Sequence, residues 1–254
     1  MTKRDFNAAH FLPALAVAIV TLLSVVSAQE PAAVPVESEP HHHVVFSNSY
    51  VRVLFVEIPG HESTLLHHHD LPYVTVPLGG AEAIAVSQGA AAQPGTALPR
   101  VGYRAGGFSH AVTNPRDAAM RIVAIQLVRP QGTIRNDCAA VIQEQPAKQC
   151  GLPDLGPAHP LDHETLYETD EILVEAWNVA PNVAASPGDA GLDMLISSLS
   201  GVSVTAGEGI DSANAIRGGL LWVPAGSKPV FRTAPDQAGR LVAITFKDSA
   251  PAGH

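Results

Sequence analysis

Three consecutive histidines in the stretch LLHHHDLPYV, residues 65–74, are the residues whose type and spacing most clearly suggest chemistry. Side chains two positions apart on a β-strand point to the same face. His67 and His69 can therefore present two imidazoles to one point, while His68 points away. A third imidazole from a later strand, His110, would complete a set able to hold Fe(II), Mn(II), Ni(II), Cu(II) or Zn(II). We predict one mononuclear metal site at these three histidines.

The same residues also allow a metal-free interpretation, in which hydrogen bonds alone hold the inward imidazoles; leaving them unpaired in a small core would be costly. Tyr73 is a candidate donor behind the ligands or a weak ligand, and plain core packing explains it equally well. Asp70 is expected on the face opposite His69, as a turn residue, unless a bulge brings it inward. No further general base or nucleophile stands out, so catalytic residues stay unassigned.

The elements that must position these histidines have the pattern of β-strands. Short segments rich in Val and Ile, bounded by Gly, Pro or Asn, follow one another at the spacing of a sandwich or barrel. They lie at 50–58, 73–78, 81–87 and 120–128, and again at 171–179, 194–200, 219–225 and 240–246. No long helical period competes with them in the sequence. We predict an all-β fold.

The two sets of strands repeat one another. Residues 110–127 align without a gap over 229–246, with six identities in eighteen positions that include the VAI triplets. Upstream, 72–80 aligns over 193–201 and shares a leucine and a glycine. Such an unbroken register indicates a tandem duplication of one small β unit.

The histidine stretch and a later segment, GGFSHAVTN, together resemble the two motifs of the cupins. The first motif is approximately G-x5-H-x-H-x3,4-E-x6-G, and the second is G-x5-P-x-G-x2-H-x3-N. The matching positions are His67, His69, Gly80, Gly107, His110 and Asn114. The resemblance covers 44–128 well and 171–247 weakly. It implies two tandem jelly-roll barrels of the cupin type.

Three positions depart from the cupin pattern. Gly60 sits one residue before the expected glycine, whose place His61 takes, and Ala105 stands where the second motif has proline. Tyr73 occupies the place of the acidic ligand, which removes a negative charge from the predicted site. The resemblance implies a function such as that of a metal-dependent dioxygenase, isomerase or hydrolytic enzyme acting on a small molecule. It also implies a homodimer, for which the sequence gives no other support.

The second repeat lacks the predicted ligands. In the same register, the positions of His67, His69, Tyr73, His110 and Asn114 are taken by Gly188, Ala190, Met194, Pro229 and Thr233. The second barrel is therefore predicted to bind no metal and to contribute packing or a pocket wall.

The amino terminus has the pattern of a cleavable secretory signal over residues 1–28. Lys3 and Arg4 precede an apolar run at 11–26, and small residues end at Ala28. An uncleaved membrane anchor is the alternative, because the run nearly reaches bilayer length. The expected location is periplasmic or secreted, with no stable membrane anchor after cleavage.

A Pro-rich segment, residues 29–43, follows and is predicted to be a disordered spacer that ends in the histidines 41–43. These three histidines are interpreted as a solvated run, with metal scavenging as the alternative. The barrels are predicted at 44–130 and 165–250, joined by a linker at 131–164.

Export makes the cysteines interpretable. Cys138 and Cys150 would face an oxidising compartment and enclose eleven residues, which indicates a disulfide that closes a surface loop. A redox pair is the alternative, but the C-x-x-C spacing is missing.

The charge distribution restricts the partners. The chain carries 24 acidic and 15 basic residues, for a formal net charge of −9, and the charges are scattered singly. This argues against nucleic acid or an anionic membrane surface and leaves a small neutral or cationic molecule as a possible ligand. Three functions stay open: a metal-dependent enzyme, a non-catalytic binder of a small molecule or metal, and a metal-free structural cupin.

Overall fold

The structure, a computed structural model, describes residues 32–78, 82–87, 96–97, 101–142, 144–150, 155, 158–188, 190–205, 215–216 and 219–247. The predicted signal 1–28 and Gly80 lie outside these residues. Within them the chain is nearly all β, with one short 3-10 turn at Val36–Ser38, which confirms the predicted fold class. None of the described helical segments has the length and apolar character needed to span a membrane.

The described part of the first half contains the strands β1 (Val34–Pro35), β2 (His42–Ser47), β3 (Val51–Ile58), β4 (His67–His69), β5 (Tyr73–Pro77), β6 (Glu82–Ser87), β7 (Thr96–Ala97), β8 (Gly102–Arg104), β9 (Phe108–Thr113) and β10 (Met120–Leu127). They form two five-stranded sheets, with the orders β1-β4-β9-β6-β7 and β2-β3-β10-β5-β8. Alternating residues of β3, β5 and β10 face inward and meet side chains of β9 in one apolar core.

The second half contains β11 (Arg135–Asn136), β12 (Leu161–Glu168), β13 (Ile172–Val179), β14 (Ala184–Ala185), β15 (Met194–Ser200), β16 (Val202–Thr205), β17 (Ala215–Ile216), β18 (Leu220–Val223), β19 (Val230–Thr233) and β20 (Gly239–Phe246). A seven-stranded sheet has the order β11-β12-β13-β20-β15-β18-β17, and a three-stranded sheet has the order β14-β19-β16. Together they enclose a second apolar core.

The two halves use the same strand register. Met120 pairs with Ile58 in the first half, and the aligned Gly239 pairs with Val179 in the second. The strands β2 and β12 even carry their irregularities at the aligned place, between residues 44 and 46 and between 165 and 167. The predicted tandem repeat of one β unit is confirmed.

A third core joins the two barrels. The faces of β3 and β10 that turn away from the first core pack against the matching faces of β13 and β20. Aromatic rings pack across this interface. The ring centroids of Phe46 and Trp222 are 5.5 Å apart, and those of Tyr50 and Phe246 are 5.1 Å apart. Large buried apolar areas of this kind hold two barrels in one arrangement.

The connection between the barrels contains the predicted disulfide, Cys138–Cys150. The connection ends earlier than predicted, because β12 begins at Leu161, inside the segment 131–164 that was expected to be a linker. The reason is pairing: Leu161 opposes Val179 of the central strand β13, so the edge strand extends as far as its neighbour does.

The predicted disordered spacer at 29–43 is wrong for residues 32–43. Val34 pairs in parallel with His67, and Val36 is buried in the core of the first barrel. Glu39 is also buried, with only 1% of its surface exposed, and its carboxylate accepts a hydrogen bond from the backbone N–H of Leu65 at 3.0 Å. Burial of one valine and one hydrogen-bonded carboxylate fixes this segment despite its Pro-rich composition.

Candidate metal centre

Two neighbouring strands bring the three predicted histidines together. His67 of β4 is the cross-strand partner of His110 of β9, and His69 lies on the same face two residues on. The ring centroids of His67 and His110 are 4.6 Å apart, and those of His69 and His110 are 5.1 Å apart. His67 and His69 are 0% and 2% exposed, while His110 is half-buried.

His68 points to the other face, as its place in the alternation requires. Its Nδ1 lies 2.9 Å from Ser109 Oγ, and its Nε2 lies 3.2 Å from Asp70 Oδ1. The side chain of Asp70 is 79% exposed, so this carboxylate takes no part in the histidine cluster.

The spacing of the nitrogens suits a shared ion. His69 Nε2 and His110 Nε2 are 3.2 Å apart. Two nitrogens that each lie about 2.1 Å from one metal at angles of about 90–109° would be separated by roughly 3.0–3.4 Å. The pair is therefore already spaced for coordination by one ion.

The strongest sign of a ligand is an unpaired buried nitrogen. His67 Nδ1 donates to the carbonyl oxygen of Leu65 at 2.9 Å, which leaves the Nε2 lone pair available. This Nε2 is buried and has no hydrogen-bond partner among the described residues, and His69 Nδ1 is in the same state. Buried polar atoms are nearly always paired, so His67 Nε2 is positioned for a partner that is not a protein group.

A fourth imidazole, His42 of β2, joins the cluster. Its ring centroid lies 4.6 Å from that of His67 and 6.2 Å from that of His69. One nitrogen of each of these three residues lies within 4.8 Å of the others. The interpretation of histidines 41–43 as a solvated run is wrong for His42, which is only 7% exposed. One signal in the sequence could have found it: the repeat, continued upstream at the same spacing, places His42 over His163.

Glu39 orients this fourth imidazole. Its Oε2 lies 2.5 Å from His42 Nδ1, so Nε2 is the ring nitrogen left for an ion. Burial raises the pKa of Glu39, but hydrogen bonds from His42 and from the backbone N–H groups of Leu65 and His41 outweigh it, and the pKa is lowered. A charged carboxylate behind an imidazole fixes its tautomer and makes it a better ligand.

Tyr73 packs against a histidine of the cluster. Its ring stacks on His69 at a centroid distance of 4.3 Å with 15° between the planes, and it is 4% exposed. Burial raises the pKa of the Tyr73 hydroxyl, so the phenol stays protonated. The ring thus supports one face of His69, in the place where the resemblance expects a carboxylate.

His67, His69 and His110 are held neutral. Burial is the main cause, and it lowers the pKa of His67 to about 4, of His69 to about 2 and of His110 to about 3. Repulsion among the clustered histidines lowers these pKa values further for His69 and His110. Neutral imidazole is the form that coordinates a metal, so no proton has to leave before binding at neutral pH.

Two further motif positions have structural roles. His61 adopts φ of +63°, the left-handed conformation for which the cupin pattern has glycine. Asn114 is fully buried, and its Nδ2 donates to the carbonyl oxygens of Ile58, Pro59 and Ala118 at 2.9–3.1 Å. Asn114 therefore holds the turns below the site and is not a ligand.

In the second barrel the same backbone carries no imidazoles at the positions aligned with His67, His69 and His110. The N–H of Gly107 donates to the carbonyl of His69 at 2.6 Å, and that of Gly226 donates to the carbonyl of Ala190 at 2.6 Å. Both glycines have positive φ, +84° and +83°. The alignment of Ala190 with His69 is therefore correct to the residue.

The comparisons with known proteins show the fold. No protein-family model matches the chain, and no curated protein matches its sequence. Among solved structures, AerE from Microcystis aeruginosa is similar over 86% of this chain and 98% of its own, with 13% identity and a TM-score of 0.54. A salicylate 1,2-dioxygenase from Pseudaminobacter salicylatoxidans is similar over 81% of this chain and 76% of its own, with 12% identity and a TM-score of 0.51.

These neighbours are cupin-fold proteins, and the similarity to each runs through both halves of the chain. The protein has the cupin fold, built as two tandem barrels, and the resemblance seen in the sequence is confirmed at the level of the fold. Among the described residues, the first barrel carries a histidine cluster, and the second barrel has no histidine at the positions aligned with His67, His69 and His110.

Proposed function

We propose that the protein holds one divalent transition metal in its first barrel and uses it to bind, and to transform, a small molecule. The ligands are His67, His69 and His110, with His42 as a fourth imidazole. The observation that carries the proposal is the buried Nε2 of His67, whose lone pair has no partner among the described residues.

An all-imidazole site suits Fe(II), Mn(II), Ni(II), Cu(II) or Zn(II) and disfavours Mg(II) and Ca(II), which prefer oxygen ligands. Because the imidazoles are neutral and Tyr73 replaces the acidic residue, the charge of the ion is not offset by a carboxylate in direct contact. An anionic or carbonyl-bearing molecule would therefore be attracted to an open position on the half-buried His110 side.

A bound ion of this kind supplies Lewis acidity or, if redox-active, electron transfer. The chain's own contribution is orientation and exclusion of water. Glu39 fixes the His42 ring, the Leu65 carbonyl fixes the His67 ring, and Tyr73 packs on His69. The apolar core around them keeps the site in a low-dielectric setting, which strengthens electrostatic contacts to a bound molecule.

An oxygenase or isomerase is the first candidate, since dioxygenases occur among neighbours of the same fold. A non-catalytic binder is the second. It is favoured by one observation: the described residues around the cluster offer no general base besides groups already engaged, since Glu39 is hydrogen-bonded and Tyr73 stays protonated. Turnover of candidate substrates by the metal-loaded protein separates the two.

The proposal includes export. The amino-terminal signal pattern supports it, and so does the Cys138–Cys150 disulfide, a bond that persists in oxidising compartments. Expression of the whole chain in a bacterial host, followed by mass determination of the periplasmic protein, tests the predicted cut after Ala28. Recovery of an uncut chain in the membrane fraction would favour an anchor.

Cobalt(II) titration of the metal-free protein tests the coordination. We expect visible bands of a nitrogen-ligated ion that saturate at about one cobalt per chain. His42→Ala should weaken binding by about 10-fold or more and change the band intensity, because one ligand is lost. His163→Ala, the aligned histidine of the second barrel, is the matched control and should change neither. Identical titrations of the parent and the His67→Ala variant would overturn the proposal.

A further inference from the structure

A cavity of about 640 Å³ lies between the disulfide loop and the face of the seven-stranded sheet that turns away from the core of the second barrel. The disulfide residues line it on one side, and the apolar side chains Leu166, Ala176, Leu199 and Val242 line the sheet side. Leu166, Ala176 and Val242 belong to the core between the barrels and not to the core of the second barrel. The cavity shares no lining residue with the histidine cluster.

Arg240, which lines this cavity, differs from its counterpart in the first repeat. There the aligned Arg121 donates from Nε to Oε2 of its cross-strand partner Glu57 at 2.7 Å. In the second repeat the cross-strand partner of Arg240 is Asn178, which offers no carboxylate. Arg240 Nη2 instead donates to Glu164 at 3.2 Å, and this leaves Nε without the bond that Arg121 makes.

This cross-strand pair of residues consequently contains two hydrogen-bond donors without an acceptor. Arg240 Nε and Asn178 Nδ2 are both buried, and neither has a hydrogen-bond partner among the described residues. Cross-strand partners point to the same face of a sheet, so both lie on the face that carries Ala176 and Val242. Asn178 is only 5% exposed. Buried N–H groups of this kind require an acceptor, and in the first repeat the corresponding arginine Nε donates to a carboxylate.

We propose that this cavity binds a small molecule with one carboxylate on an apolar body. The carboxylate accepts a hydrogen bond from Nε of Arg240, which lines the cavity, as the Glu57 carboxylate does from Nε of Arg121. Asn178, the cross-strand partner of Arg240, lies beside this position. A planar carboxylate matches the guanidinium fork, and the apolar sheet residues bind the rest of the molecule. The cavity volume is in the usual range for small-molecule sites, about 300–1,000 Å³.

The test is calorimetric titration of the mature, disulfide-bonded protein with benzoate and hexanoate, using benzyl alcohol and hexanol as uncharged matches. At least one acid should bind at one site per chain, about 10-fold or more tightly than its alcohol. A chelator present throughout keeps any metal in the first barrel from contributing. No heat from either acid up to about 10 mM would overturn the proposal.

Variants locate the binding. Arg240→Gln should weaken acid binding about 10-fold or more, while Arg121→Gln, the matched control in the first repeat, should leave it unchanged. Asn178→Glu should abolish binding and raise the melting temperature, because it rebuilds the Arg–Glu pair of the first repeat within the chain. Acid binding that survives Asn178→Glu, or that falls equally in both arginine variants, would contradict the proposal.

Glu164→Gln covers the case in which Arg240→Gln does not fold. This substitution frees the guanidinium from its present carboxylate partner, so the acid should bind about 3-fold or more tightly. Unchanged or weaker binding would count against the site. These results do not depend on metal content, so this proposal and the metal proposal can fail separately.

Discussion

The two barrels share a backbone and differ in what fills it. The first encloses four imidazoles and a buried carboxylate; the second has Gly188, Ala190 and Pro229 where β4 and β9 of the first carry histidines. Yet the Gly107 and Gly226 hydrogen bonds, their positive φ values and the strand irregularities all coincide. Main-chain pairing therefore determines the barrel, and the fold does not require the clustered histidines.

In the second barrel, the indole of Trp177 packs in the same core as Ala190, the residue aligned with His69. Trp177 stands where the first barrel has Val56, and it packs edge-on against Phe231 at 5.9 Å between centroids. Its indole N–H donates to Glu175 at 3.2 Å, and the ring of His163 stacks on it. The second barrel thus has an aromatic core where the first has a polar cluster, and this core stabilises the second barrel.

The largest expected effect comes from removing that indole. Trp177→Ala should lower the free energy of unfolding by about 3–5 kcal/mol, because the cavity cannot collapse against rigid strands. Val56→Ala, its counterpart, should cost about 2 kcal/mol. Urea unfolding measures both. Equal costs would mean that Trp177 does not fill the second core as described.

The hydrogen bonds under the two sites should also differ in strength. Asn114→Ala removes the amide that donates to three carbonyls and accepts from the backbone N–H of Arg116, and should cost about 3 kcal/mol. The hydroxyl of its counterpart Thr233 donates to the carbonyl of Ala180 at 2.6 Å and accepts from the N–H of Val183 at 3.2 Å, so Thr233→Val should cost about 2 kcal/mol. Urea unfolding of the metal-free proteins gives both values. A smaller loss for Asn114→Ala than for Thr233→Val would contradict this account.

Glu39 beside His42 and Glu175 beside His163 should differ in their effect on metal affinity. Glu39→Gln should weaken metal binding about 10- to 100-fold, because the charged acceptor that orients His42 is lost. Glu175, whose Oε1 lies 3.5 Å from His163 Nε2, is the matched control. Glu175→Gln should leave metal affinity unchanged, and cobalt titration compares the two. An equal loss in both variants would place the metal somewhere other than the first barrel.

The smallest effect concerns an ion-pair network found on the second barrel. Hydrogen bonds from Lys247 and Arg135 lower the pKa of Glu168. A carboxyl whose pKa is lower in the folded state stabilises the fold above its unfolded pKa, and this contribution is lost as the pH falls through the folded value. Glu168→Gln should therefore cost about 0.5 kcal/mol near pH 6 and less near pH 3.5. A cost that grows on acidification would contradict the assignment.

Much of the fold was predictable because local pattern and tertiary context agree. The strands around 51–58 and 120–127 are rich in Val and Ile and are bounded by Pro, Asn or Arg-Pro signals, and their recurrence in the second half revealed the repeat. The H-x-H spacing likewise identified His67 and His69, since alternation on a strand needs no further information.

His42 could not be predicted by the same reasoning. A histidine run after a Pro-rich segment has no period, and its order depends on distant contacts: the parallel pairing of Val34 with His67 and the bond between Glu39 and the Leu65 backbone. The unpaired donors at Arg240 and Asn178 were equally invisible, because they arise from a cross-strand pair and not from a motif.

Metal content tests the central claim most directly. Elemental mass spectrometry of the mature chain, residues 29–254, purified without a tag, should find about one equivalent of a transition metal. The variant with His67, His69 and His110 all changed to Ala should contain little. The absence of metal from the parent, even after incubation with Fe(II), Mn(II), Ni(II) and Zn(II), would show that the histidines are structural and would remove the proposed function.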